Sequence, residues 1–391
     1  MSLNAENNGN VKIHALLDEE LQRQEKVINL IASENLPSEA VMQANAHSII
    51  SKYAEGYPGA RYYGGCEVAD KIETRTNELL CEIFGSEGAN VQPHSGTQAN
   101  QAVYQALLKP GGKILSLDLA HGGHLSHGSK VNFSFRDFKI AHYKLGENEL
   151  LDYPVIDRIA TEFNPDLIIA GASTYSRFID WERFRHIADR VNAFYLADIA
   201  HYAGLIAGGV YPNPTEFADV CSFTTQKTLR GPRGGAIIFK KTFKRAINRA
   251  VFPGCQGGPN LAAIAAKGIA FEEVLTQDFR DYASQVVRNA RVMSQIIGEK
   301  YHIVSGGTDC HMFTVRLEGF SGAKAEEALE QNNIIVNKQM VPNDKRPPKE
   351  GSGIRIGTPY ITTLGYTEEQ SKALALKILH ILSKVEKNGV V

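Results

Sequence analysis

Two rhythms of apolar residues alternate along most of this chain. Five short apolar runs that close on polar residues lie at Lys113 to Leu119, Asp166 to Ala172, Ala193 to Ala200, Ala218 to Thr225 and Gly234 to Lys240. Runs of that length predict buried strands. Stretches with helical spacing stand among them at Thr97 to Leu108, Val155 to Phe163 and Trp181 to Val191. Upstream, Ile72, Leu79, Leu80, Ile83 and Phe84 recur at helical spacing between Asp70 and Phe84, and Gly85 supplies a stop. Such alternation predicts an α/β fold on a mostly parallel sheet with helices on both faces, whose ligands gather at the carboxyl ends of the strands.

The flanks have a different texture. The first ten residues are polar and expected to be loose, and Leu16 to Ile31 carries Leu16, Leu17, Leu21, Val27, Leu30 and Ile31 in an imperfect helical pattern. Ser38 followed by Glu39 marks a second helix start. Beyond Pro259 the pattern predicts a long helical tract to about Glu299, then a strand-helix-strand series from Ile303 to Asn337. A loop rich in Pro, Lys and Gly follows from Val341 to Gly353, and a last helix from about Thr367 to Val385. A chain of 391 residues exceeds one ordinary core, and the change of texture sets a domain boundary near residues 275 to 280.

Composition narrows the class. Hydrophobic residues at 43% and charged residues at 22% suit a folded core rather than a disordered chain. The 42 basic residues nearly balance the 43 acidic ones, so no global field steers the protein to a polyanion or a membrane surface, and nucleic acid is not an expected partner. Cys66, Cys81, Cys221, Cys255 and Cys310 are scattered without a CxxC pair, which suits a reducing compartment. The opening MSLNAENNGNVK has no secretory or transit profile, and no apolar run reaches membrane-spanning length. A cytoplasmic protein with no membrane association is expected.

Five segments carry candidate chemistry. In FTTQKTLRGPRGG, Lys227 follows an apolar strand, where limited solvent favours loss of its proton and Schiff-base formation with an aldehyde. In isolation such a lysine is more often a solvated loop residue. In AFYLADIAHYAGL a strand ends on Asp198, with His201 three residues on. A carboxylate there can keep a pyridinium nitrogen protonated, though it can equally cap a helix. In HSGTQANQAVYQALLK, Ser95, Gly96 and Thr97 open a helix whose free N–H groups suit a phosphate dianion or simple capping. His121, His124 and His127 in DLAHGGHLSHG hint at a metal, but the Gly pair breaks any helix that would align them and no acidic or Cys cluster completes a set. No metal is expected, and one histidine is read as packing over a flat ring. Arg355 in SGIRIGTP is a candidate for a bidentate grip on an α-carboxylate, or else an ordinary surface ion pair. No GxxxxGK[ST] and no GxGxxG between strand and helix occur, so neither an NTPase nor a dehydrogenase is supported.

Together these segments resemble the serine hydroxymethyltransferase family of fold-type-I pyridoxal phosphate enzymes. The resemblance runs nearly end to end through LIASEN (30–35), KYAEGYPGARYYGG (52–65), ANVQPHSGTQAN (89–100), DLAHGGHLSHGS (118–129), IIAGASTYSR (168–177), TLRGPRGG (228–235), QGGP (256–259), VSGGTD (304–309) and SGIRIGTP (352–359). It implies an aspartate aminotransferase-like fold: a large domain around a mostly parallel seven-stranded sheet (53–278), a small C-terminal α/β domain (279–391) and an N-terminal arm at a dimer interface (1–52).

The implied activity is reversible conversion of L-serine and tetrahydrofolate to glycine and 5,10-methylenetetrahydrofolate, with pyridoxal 5'-phosphate as cofactor and Cα–Cβ cleavage as the central step. By position, the resemblance implies that Lys227 carries the cofactor as a Schiff base, Asp198 pairs with its ring nitrogen and His124 stacks on its ring. Ser95, Gly96 and Thr97 would hold its phosphate, with Ser173 and His201 near its ring oxygen. Ser33 and Arg355 would bind the substrate, and Glu55 would be the acid-base residue, surrounded by Tyr53, Tyr62 and Tyr63. A homodimer with shared sites is implied, in which Tyr53, Glu55, Tyr62 and Gly258 reach the neighbour's cofactor. Leu119, Gly123, Leu125 and Gln339 would flank the folate. Gln226 stands where the family usually has His, Gln339 where Asn is expected, Lys349 where an apolar aromatic is common and Thr174 where Ala is usual. Gln226, Gln339 and Lys349 motivate the alternative of a folate-independent aldolase or transaldolase of β-hydroxy amino acids.

Overall fold

The apolar runs form the centre of a seven-stranded sheet in this computed structural model, which describes residues 12–388; the polar start of the chain lies outside the described residues. In chain order the strands are β1 (Gly88–Asn90), β2 (Lys113–Leu117), β3 (Lys139–Tyr143), β4 (Leu167–Ala170), β5 (Phe194–Asp198), β6 (Val220–Thr224) and β7 (Gly235–Phe239), arranged in the order β1-β7-β6-β5-β4-β2-β3. From β6 to β3 every pairing is parallel, and β7 runs antiparallel to both of its neighbours. Successive residues of these strands feed opposite cores: Leu115, Ile168, Tyr195 and Cys221 pack on one face, and Ile114, Leu167, Leu196 and Val220 on the other. Burial on both faces explains why the runs are continuously apolar rather than alternating.

The helices start and stop where local chemistry dictates. Helix α1 (Ile13–Lys26) has no buried residue and leaves Leu16, Leu17 and Leu21 exposed. It is shorter than its apolar pattern predicts. Ile28 and Asn29 form a short parallel pairing with Ile334 and Ile335, and Leu30 drops into the C-terminal core, so those apolar positions belong to a strand and its exit. Helix α2 (Glu39–Asn45) begins at Ser38, whose Oγ accepts from Val41 N–H. Helix α3 (Glu67–Phe84) stops at Gly85, which takes φ 66°. Helices α4 (Gly96–Leu107), α5 (Tyr153–Phe163) and α6 (Trp181–Arg190) lie where the pattern predicts them.

The tract after Pro259 is two helices rather than one. Helix α7 (Leu261–Val274) ends at Leu275, and Thr276 caps helix α8 (Gln277–Gly298) by accepting from Phe279 N–H. Phe279, Tyr282, Ala283, Val286 and Val287 at the start of α8 join the core of the large sheet. Met293 and Ile297 near its end join the C-terminal core.

That second core surrounds a three-stranded antiparallel sheet of β8 (Met312–Arg316), β9 (Asn337–Gln339) and β10 (Gly353–Gly357), ordered β8-β10-β9. Helix α9 (Gly322–Glu330) and the last helix, α10 (Glu368–Asn388), complete it. The N-terminal segment threads against this sheet, with Gly357 N–H donating to the Leu30 carbonyl. A Cβ on Gly357 would lie 2.3 Å from Ala32 Cα, so only glycine lets Ala32, the residue before Ser33, approach β10 so closely. Among the described residues no helix is long and apolar enough to cross a membrane.

Candidate active site

Five loops converge at the carboxyl ends of the parallel strands. They follow β1, β2, β4, β5 and β6, and with Ser33 and β10 they enclose a cavity of about 420 Å³. Ser33, Ser95, Gly96, Thr97, His124, Ser173, Asp198, His201, Lys227 and Arg355 all line it. Lys227 and Asp198 therefore share one cavity.

Asp198 is the last residue of β5 and is buried. Its Oδ2 accepts from Asn100 Nδ2 and from His127 Nε2, both at 2.8 Å, and its Oδ1 accepts from Ala200 N–H at 3.0 Å. Burial pushes this carboxyl up, but the bonds from His127 and Asn100 and the nearby His124 ring more than reverse that, holding it well below the usual carboxylate range. Asp198 is thus an anion kept charged inside the protein.

Lys227 stands three residues past β6, and its Nζ makes no hydrogen bond among the described residues. Burial lowers its pKa from 10.5 to about 8; Asp198 opposes that shift and the Arg355 and Arg233 cations assist it. A buried amine without a partner, aimed into a polar cavity, suits covalent attachment of an aldehyde. His124 is neutral, its pKa lowered to about 4 first by burial. Its Nδ1 accepts from Ser126 N–H at 3.2 Å and lies 2.7 Å from Ser126 Oγ, whose hydroxyl also accepts from Asn100 Nδ2.

The amino end of α4 forms one lip. Ser95 Oγ takes the Gln98 N–H and the Ser95 carbonyl takes the Ala99 N–H, leaving the Gly96 and Thr97 N–H groups open to the cavity. A Cβ on Gly96 would lie 2.6 Å from Thr224 Cγ2, and one on Gly235 would lie 2.3 Å from the Ser95 carbonyl oxygen. Both glycines let the helix head seat against the sheet. Arg233 adds a cation at the rim. These open amides, a fixed carboxylate and a free amine fit a phosphorylated pyridine aldehyde.

Arg355 comes from β10, on the opposite wall. Its Nη1 donates to the Ser173 carbonyl at 2.9 Å and its Nε to Asn337 Oδ1 at 3.1 Å, which leaves Nη2 uncommitted. Burial lowers its pKa to about 10, so it stays a cation at neutral pH.

The remaining expected residues lie outside this cavity. Glu55, Tyr53 and Tyr63 form a separate group beside Gly257 and Gly258: the Tyr53 and Tyr63 rings are 5.1 Å apart, and Cβ atoms on those glycines would lie 2.9 Å from Glu55 Oε1 and 3.1 Å from the Tyr53 ring. Tyr53, Tyr62 and Tyr63 are exposed, and the Glu55 carboxylate pushes the Tyr63 phenol up. Leu119 and Leu125 are exposed on the loop after β2. Gly123 lies between them at a close approach, where a Cβ would meet the Leu117 carbonyl at 2.2 Å. Gln339 ends β9.

Asn100 and Arg233 also line the cavity, although neither is assigned a role from the sequence, and so do His127, considered from the sequence only within a discounted metal set, and Gln226, noted there only as standing where His is usual. Asn100 gives itself away as an amide on the otherwise apolar inner face of α4, next to Ala99, Ala102 and Val103. Gln226 Oε1 accepts from Gly234 N–H at 3.4 Å. Among the described residues no group of three or more His, Cys, Asp or Glu side chains is placed to hold a metal.

A lysine without a hydrogen-bond partner among the described residues and a buried carboxylate in one cavity, beside an open helix terminus at the carboxyl end of this sheet, define a fold-type-I pyridoxal phosphate enzyme. Residues 7–378 match the family model described as serine hydroxymethyltransferase. The chain belongs to the serine hydroxymethyltransferase family, and so is a transferase of serine, glycine and one-carbon metabolism that uses pyridoxal phosphate, with tetrahydrofolate as co-substrate. The serine hydroxymethyltransferase of Nitrosomonas europaea is 53% identical over 367 residues, covering 93% of this chain and 88% of that protein. That of Coprothermobacter proteolyticus is 51% identical over 384 residues, covering 97% of this chain and 92% of that protein. Nothing in these comparisons favours the folate-independent aldolase.

Proposed function

We propose that this chain interconverts L-serine and glycine and exchanges the one-carbon unit with tetrahydrofolate, using the residues gathered in the β-strand cavity. The observation that carries this reading is that Lys227, Asp198, Arg355 and the amino end of α4 line one cavity. Ser95, Gly96 and Thr97 would hold the cofactor's phosphate, His124 its ring face, Ser173 and His201 its ring oxygen, and Lys227 its aldehyde carbon. When bound, pyridoxal phosphate supplies an electron sink for the pair released when the Cα–Cβ bond breaks.

The chain's own groups prepare that cleavage. Asp198, kept ionised by His127 and Asn100, would hold a proton on the cofactor's ring nitrogen. Arg355 grips the substrate carboxylate with the guanidinium edge that Ser173 and Asn337 leave open, and Ser33 closes the same wall. Lys227, with its lowered pKa, would be available as the free amine that holds the cofactor's aldehyde carbon between turnovers. Glu55, among Tyr53, Tyr62 and Tyr63, moves protons during capture of the one-carbon unit, and the folate lies against Leu119, Gly123, Leu125 and Gln339.

Glu55, Tyr53, Tyr62 and Gly258 do not line their own chain's cavity, which supports a homodimer in which they complete the neighbour's site. The exposed leucines of α1 suit the interface arm of such a dimer. The same reading divides the chain into an arm (1–52), a large cofactor-binding domain (53–278) and a small domain (279–391), and locates the enzyme in the cytoplasm. Steady-state serine cleavage with and without tetrahydrofolate tests it. Strong dependence on folate is expected, and equal rates without folate would overturn it in favour of an aldolase.

A further inference from the structure

One buried charge takes no part in this reading. Lys267 stands in LAAIAAKGIAF, an otherwise apolar stretch of α7, and it is buried without lining the cavity around Lys227. Its Nζ donates to three backbone carbonyls, those of Val91 at 2.6 Å, Gly235 at 2.9 Å and Pro93 at 3.2 Å. A neutral amine has two N–H groups and would turn its lone pair on the third oxygen, so three acceptors at these distances call for the ammonium. Gly234 makes room for it, since a Cβ there would lie 2.4 Å from Lys267 Cε.

The three carbonyls mark the place where the lip of the cavity leaves the sheet. Strand β1 pairs with β7 through Gly88–Asn90, and the ladder stops at Asn90 opposite Ile237. Beyond that point the chains part: Val91, Gln92, Pro93 and His94 lead to Ser95 and the head of α4, while Gly235 opens β7. Among the described residues one backbone bond still spans the gap, from Gly235 N–H to the Pro93 carbonyl. The ammonium supplies the rest, tying the Val91 and Pro93 carbonyls on one side to the Gly235 carbonyl on the other. Two residues past Pro93 the chain is already in close contact again, with the Ser95 carbonyl oxygen 2.3 Å from where a Cβ on Gly235 would lie. The open Gly96 and Thr97 N–H groups follow directly. Buried carbonyls stripped of their donor are costly to leave unpaired, so without the ammonium this segment has to shift.

We infer that Lys267 is a positioning residue: from behind the lip it fixes the segment that offers the Gly96 and Thr97 N–H groups, and so sets the grip on the cofactor's phosphate without touching the cofactor. The inference deepens the proposed function and rests on it for the identity of the phosphate.

The test offers two aldehydes in turn, pyridoxal phosphate and pyridoxal, to full-length apoenzyme of wild type and Lys267→Met, and reads each dissociation constant from Schiff-base absorbance. Methionine keeps the bulk and the apolar stem but has no N–H to give. The expected result is a loss of affinity for pyridoxal phosphate of roughly tenfold or more, with affinity for pyridoxal, which has no phosphate for the lip to hold, unchanged to within about twofold. Unchanged affinity for pyridoxal phosphate, or equal losses for both aldehydes, would overturn the inference. Wild-type apoenzyme that binds the two aldehydes equally would instead overturn the phosphate role of the lip. Hydrogen exchange then still decides what Lys267 does: the Gln98 and Ala99 amides, which bond to Ser95, should exchange roughly tenfold faster or more in Lys267→Met, and an unchanged rate would separate the lip from Lys267. Were Lys267→Met not to fold, the same measurements on Lys267→Gln, whose amide still donates to part of the set, would decide. Failure of both variants to fold would make Lys267 a residue of the core alone and overturn the inference.

Discussion

Asp198 accepts three hydrogen bonds while buried, and hydrogen bonds to a charged group contribute about 1.5–3 kcal/mol each. That is how one carboxylate stays ionised where burial alone would neutralise it. Lys227 has the opposite arrangement, a cation without a hydrogen-bond partner among the described residues, and its pKa falls to about 8. Only the unprotonated amine adds to an aldehyde, so the rate at which apoenzyme recaptures pyridoxal phosphate should rise with pH and reach half its plateau near pH 8. Stopped-flow absorbance measures it, and a midpoint near the ordinary lysine value of 10.5 would show that the site does not depress the amine. Arg355→Lys should raise KM for serine roughly tenfold to a hundredfold, because a point charge replaces a two-pronged grip; an unchanged KM would remove Arg355 from substrate binding. Lys227, Asp198 and Arg355 were each legible as residues beside motifs. Asn100 and His127 were not, because their partnership with Asp198 joins positions 98 and 71 residues away in the chain.

At the scale of elements, the buried strands were the easiest to read. A strand covered on both faces must be apolar throughout, which is why β2, β4, β5, β6 and β7 stand out as runs. The two edge strands carry no such signal: β1 is only Gly88–Asn90, and β3, KIAHY, is largely half-exposed. The break between α7 and α8 is hidden for a different reason, since Val274, Leu275 and Phe279 keep apolar spacing across it and only the Thr276 cap marks the new start. Strand β10 is obscured by Gly353 and Gly357 at its ends. The head of α4 supplies an element-scale prediction. Gly96→Ala would push a methyl group toward Thr224, tilting the helix start that offers its N–H groups. Affinity for pyridoxal phosphate should fall by about 1.4–2.8 kcal/mol, roughly tenfold to a hundredfold, while the far-ultraviolet circular dichroism stays that of the wild type. Equilibrium dialysis checks it, and unchanged affinity would mean that those amides do not bind the phosphate.

At the scale of the molecule, the separation of Glu55 from its own cavity is the feature that most shapes behaviour. If two chains share each site, Lys227→Ala and Glu55→Gln proteins are each impaired alone but complement when mixed. Their heterodimer contains one cavity with both residues intact, so after subunit exchange roughly a quarter of wild-type folate-dependent activity should appear. Mixing that restores nothing, with exchange verified by mass, would return Glu55 to its own chain's site.

Helix α8 has its own consequence at this scale. It is a single rod of 22 residues, about 33 Å long, rooted at one end beneath the large sheet and at the other among the side chains around the small one. Neither half of the protein can melt without stripping apolar cover from a helix that the other half still needs. Scanning calorimetry should therefore record one endotherm rather than two, and a pair of resolved peaks would mean that the rod snaps instead of binding the two halves to a common fate.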